Sequence, residues 1–180
     1  MRERFVMVSL LTTAATATAA PVSHGIGRAP RPDELRAVDI SIAPDGLGLP
    51  VGHGSSADGA ALYQAMCMAC HGPSGEGLGD FPTLVGGVGS LRTAKPVLTV
   101  GSYWPYATTL WDYIRRAMPY LTPGALTAND VYALTAYILQ LNGVIEPDTV
   151  LTDKTLSRVR MPNRDGFVAD PRPDVRVRPR

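Results

Sequence analysis

The chain's two cysteines fall within one short stretch, "YQAMCMACHG" from Tyr63 to Gly72, with a histidine directly behind the second. That spacing constrains the fold more than any other feature. A structural zinc site needs four ligands, yet His24 and His53 both lie upstream in Gly-rich sequence rather than as a spaced second pair. A redox dithiol sits at the start of a helix, where its pKa is lowered. Here the preceding "SSADGAALYQAM" reads as the helix itself, with Asp58 as N-cap and Leu62 and Met66 four apart on one face. Cys67-Met68-Ala69-Cys70-His71 matches instead the C-x-x-C-H signature of covalent haem c attachment. Two thiols on one turn bond one porphyrin, and His71 brings an imidazole to the iron from the same side. A macrocycle fixed in this way also lends apolar core to a small, loop-rich domain.

A haem used for electron transfer commonly has both axial positions filled, and methionine opposite histidine raises the reduction potential. Six methionines are present. Met1 and Met7 belong to the N-terminal segment, and Met66 and Met68 are tied to the proximal side by the attachment motif. In "TTLWDYIRRAMPY", Leu110, Tyr113, Ile114 and Ala117 recur with helical spacing, and Pro119 forces the helix to stop at Met118. A side chain there points across a pocket, so Met118 is the expected sixth ligand. Met161, in "VRMPNRDGF", is the alternative, and core packing is the competing expectation for it.

At 180 residues, with a 45% apolar fraction, the chain has room for one core, and its 18 glycines and 16 prolines predict long irregular segments around it. The expected fold is all-α: one domain of three to five helices over residues 57–145, with an extended arm at 21–56 and an extended tail at 146–180. "TANDVYALTAYILQLNG" is the clearest helix, with Thr127 and Asp130 as a capping pair, Val131, Leu134, Ile138 and Leu141 as its apolar face, and Gly143 as its stop. Residues 1–20 carry Arg2 and Arg4, an apolar run and an A-x-A site at Ala17-Thr18-Ala19, the pattern of a cleaved secretory signal, which predicts a periplasmic protein. The apolar run is shorter than the ~20 residues that span a bilayer. A net charge of +1 gives no basis for nucleic-acid binding. Near the pocket, Tyr103 and Trp104 offer hydrogen bonds to a haem propionate and Arg92 or Lys95 a balancing charge; the competing role of the rings is to seal the pocket.

Motif helix, Pro/Gly loop, helix ending in Met-Pro and terminal helix together resemble a class I cytochrome c. In that family a proline carbonyl after the motif accepts the proximal histidine N–H, and Pro82 in "FPTLVG" is the matching position. More narrowly, "DISIAPDGLGLPVGHGSSADGAALY", "TVGSYWPYATTLWDYIRRAMP", "VYALTAYILQLNGVI" and "VRMPNRDGF" resemble the cytochrome subunits of bacterial sulfite dehydrogenases and of SoxCD-type sulfur-oxidising complexes. This resemblance implies a molybdenum-cofactor dehydrogenase subunit as electron donor; a cytochrome or oxidase is the expected downstream acceptor, and the two arms, either disordered or laid over a surface, are expected to pack on the donor. The other functions weighed are a free electron shuttle to a terminal oxidase, a haem peroxidase and a C-x-x-C dithiol oxidoreductase.

Overall fold

A computed structural model describes residues 26–172; the signal-like segment 1–20 lies outside them. The chain divides into a unit ending at Val38 and a second running from Asp39. In the first, a short helix α1 (Pro32–Val38) buries no residue. Its start is fixed by Glu34, which accepts from the Arg31 amide at 2.8 Å and from Arg28 Nη1 at 2.8 Å.

The second unit is built around a helix, α5 (Ala128–Leu141), whose start is set by reciprocal bonds. Thr127 Oγ1 accepts from the Asp130 amide at 3.2 Å, and Asp130 Oδ2 accepts from the Thr127 amide at 2.9 Å. Its C-cap is Asn142, and Gly143 follows at φ +65°, where glycine carries no Cβ penalty. Tyr132, Ala133, Thr135, Ala136 and Leu139 are buried beside the expected Val131, Leu134 and Ile138, so α5 is covered on more than one face.

Helix α2 (Ser56–Met66) and strand β1 (His53–Ser55) cross α5 at Ala133. Added Cβ atoms at Gly59 and Gly54 would lie 2.0 Å from the Ala133 carbonyl oxygen and 2.2 Å from its amide nitrogen, so only glycine permits this approach. The cap of α2 differs from expectation. Ser55, not Asp58, is the N-cap: its backbone is extended and its hydroxyl accepts from the Asp58 amide at 3.2 Å, leaving Asp58 in the first turn.

Helix α4 (Ala107–Ala117) lays Trp111 on Tyr132 of α5, ring centroids 5.3 Å apart. Arg115 and Arg116 lie in its last turn, where the helix dipole favours cations. Strand β2 (Val150–Thr152) pairs antiparallel with β1, His53 opposite Thr152, a contact absent from the all-α expectation but too small to alter the class.

The core runs past the expected domain limits at 57 and 145. Leu151, Leu156 and Met161 are buried in it, and Ile42, Leu49 and Val159 pack against it. Ile40, Leu47 and Phe167 stay exposed. Among the described residues no helix is long and apolar enough to cross a membrane.

Candidate haem site

Cys67 stands at a junction. It ends α2 as C-cap, its amide donating to the Tyr63 carbonyl, and begins a one-turn helix α3 (Met68–His71). The chain then reverses at Gly72, φ +78°, where a Cβ would meet the Glu76 carboxylate carbon at 2.5 Å. Returning backbone bonds hold this turn: the Gly77 amide donates to His71 O at 2.8 Å and the Leu78 amide to Cys70 O at 3.1 Å. Beneath it Tyr63, fully buried, donates its hydroxyl to Gly72 O at 2.9 Å, and burial pushes its phenol up to about 12.

Two side-chain clusters order the Gly-rich loop that follows. Thr83 Oγ1 lies 3.1 Å from the carbonyls of both Gly75 and Val85. Asn142 joins the end of α5 to the same loop, donating through Nδ2 to Leu84 O at 3.1 Å and accepting from the Gly86 amide at 3.3 Å. This places Pro82 over the histidine. His71 Nδ1 lies 3.0 Å from Pro82 O, and because a carbonyl only accepts, Nδ1 is the donor of this bond, which in a neutral ring leaves the lone pair on Nε2. A ring held in this tautomer is oriented as an axial ligand.

Facing this turn is a cavity of ≈ 390 Å³ whose wall includes Cys67, Cys70, His71 and Met118. Leu110 and Ile114 of α4 and Leu134 and Ile138 of α5 supply its apolar depth. Met118 is there because α4 stops at it: its amide still donates to Ile114 O at 3.0 Å, but its backbone is extended and Pro119 follows. Cavities of about 300–1,000 Å³ with few polar groups are typical of cofactor sites. The donor set also fits: two thiols, an imidazole nitrogen and a thioether lining one apolar cavity are what a covalently bound, doubly ligated haem requires. A dithiol enzyme needs the opposite setting. Burial, aided by neighbouring Cys70, pushes the Cys67 thiol up to about 11, away from the lowered range of reactive dithiols.

Trp104 lines the cavity and meets Tyr113 edge-on at 5.7 Å. Tyr103 and Arg92 do not line it. The Tyr103 ring meets Phe167 instead, ring centroids 5.2 Å apart. Arg92 ends a short 3₁₀ turn, Ser90–Arg92, and is exposed, as is Lys95. Met161 is 1% exposed within the core and is not on the cavity wall, which is the packing role weighed against ligation for it. Phe81, Leu98 and Tyr120, which the sequence did not single out, also border the cavity. Their one sequence signal is apolar or aromatic character inside polar, Gly/Pro-rich loops.

The cytochrome c family model matches residues 56–142. One chain of the crystal structure of the sulfane dehydrogenase SoxCD from Paracoccus pantotrophus is 45% identical, with a TM-score of 0.76, over 84% of this chain and 75% of that one. The chain therefore belongs to the cytochrome c family. Within it, this is a c-type cytochrome resembling that of SoxCD, an electron-transfer protein with one covalently attached haem c. A chain of the thiosulfate dehydrogenase TsdBA from Marichromatium purpuratum is 32% identical over 47% of this chain and 17% of that one; its TM-score of 0.36 lends no support. No curated protein matches.

Proposed function

We propose that this cytochrome is the electron-accepting subunit of an exported, periplasmic, molybdenum-dependent dehydrogenase acting on sulfite or a related sulfur compound. Cys67 and Cys70 would hold the haem through their sulfurs, and His71 Nε2 and Met118 Sδ would serve as its iron ligands. When bound, the haem supplies a one-electron ferric/ferrous couple. Pro82 fixes the imidazole, and the apolar wall from α4 and α5 excludes water and disfavours the more highly charged ferric state. With both His71 and Met118 as ligands the iron would offer substrate no open position, so the chain would pass electrons on to a cytochrome or oxidase rather than perform chemistry itself.

What favours a docked subunit over a diffusing shuttle is the 45% identity, over 84% of this chain, to one chain of the sulfane dehydrogenase SoxCD.

The test is to purify the tagged protein from its native compartment, assay molybdenum and record the haem spectrum before and after sulfite. Copurifying molybdenum with prompt haem reduction is the expected result. A molybdenum-free monomer whose haem stays oxidised overturns the reading.

A further inference from the structure

Two distinctive phrases of the sequence, "SYWPYA" (102–107) and "RMPNRDGF" (160–167), lie far apart in the chain and meet in space. The second is anchored by Met161, buried in the core, and turns back on itself: the Arg164 amide donates to Met161 O at 3.1 Å and the Gly166 amide to Asn163 O at 3.1 Å. Three side chains then reach the first phrase. Asn163 Nδ2 donates to Tyr103 O at 2.6 Å, Phe167 meets the Tyr103 ring edge-on at 5.2 Å, and the Arg164 guanidinium lies 4.7 Å above the Tyr106 ring. Trp104 sits between the two gripped tyrosines, and its own ring lines the cavity.

We propose that Asn163, Arg164 and Phe167 are positioning residues which clamp Tyr103 and Tyr106, and through them hold Trp104 as the wall that keeps water off the haem. The C-terminal arm thereby sets the reduction potential, in addition to any contact with a partner. The sign follows from charge. A wall that excludes water disfavours the extra positive charge of ferric iron, so loosening it lowers the potential. This inference rests on haem c filling the cavity that Trp104 lines, and is independent of which dehydrogenase donates the electrons.

The experiment is a redox titration of the isolated holo-cytochrome against chemical mediators, with the visible spectrum and helical content followed in parallel. Asn163→Ala and Phe167→Ala should each shift the potential downward with the helical content retained, and the double variant further. Phe167→Tyr, which keeps the ring edge, should restore the parent value. Val168→Ala, one residue on and almost fully exposed, should leave it unchanged. Trp104→Ala should lower it at least as far as the clamp variants do. Parent potentials in Asn163→Ala and Phe167→Ala overturn the proposal even if thermal stability falls, because that is a merely structural role. An unmoved potential in Trp104→Ala overturns it as well, since the wall would then not face the haem.

Discussion

His71 and Met118 reach the same cavity by different means. A hydrogen bond to Pro82 O orients the first, and the end of a helix delivers the second. The structure separates Met118 from Met161, and two substitutions check that separation. Met118→Ala should change the haem spectrum and lower the reduction potential while the fold persists, because a sulfur ligand to iron is lost. Met161→Ala should leave the spectrum unchanged but cost about 2–5 kcal/mol in denaturant unfolding, the usual range for emptying a buried site of this size. Tyr63 adds a pH signature. Its phenol rises from an ordinary 10 to about 12 in the folded chain. A raised pKa gives stability that is complete below the unfolded value and lost as pH climbs through the folded one. Stability should therefore be flat with respect to this group below pH 10 and fall between 10 and 12. Tyr63→Phe should flatten that limb, at about 0.5–1.5 kcal/mol for the lost bond to Gly72 O, as measured by unfolding at stepped pH.

At the scale of elements, what could be read in the sequence was what adjacent residues decide. The Thr127–Asp130 capping box, the Met118-Pro119 stop and the helix before Cys67 each follow from neighbours within four positions. The N-cap of α2 was misplaced by three residues because Ser55 and Asp58 are both good caps and only the observed bond chooses between them. The three-residue strands "HGS" and "VLT" are too short for alternation to announce them. The crossing at Ala133 was hidden too, since a glycine's need for space depends on an element far away in sequence. Gly59→Ala puts a methyl carbon 2.0 Å from a backbone oxygen. The helices must separate to admit it, so the variant should unfold at lower temperature, by about 1–3 kcal/mol of stability; an unchanged transition would place α2 further from α5.

For the molecule as a whole, parts of both arms, Ile42 and Leu49 in one and Leu151, Leu156, Val159 and Met161 in the other, proved to join the core, which composition alone could not reveal: scattered apolar residues in Pro/Gly-rich sequence look alike whether they are packed or loose. Ending the chain at Thr149 removes Leu151, Leu156 and Met161, all at most 1% exposed. At about 2–5 kcal/mol each, their loss consumes most of a domain's typical stability of about 5–15 kcal/mol. That truncation should show no cooperative thermal transition, whereas ending at Val168 should preserve it.

The seam between β1 and β2 bears on how such a protein is assembled. Pairing His53 with Thr152 joins the two ends of the domain, among the longest-range contacts in the fold. Loop-closure entropy makes contacts of that separation slow to form compared with the packing of α4 against α5. The cysteines are thus expected to be reachable while the flanks are still apart, before the seam that ties the two ends of the domain has closed.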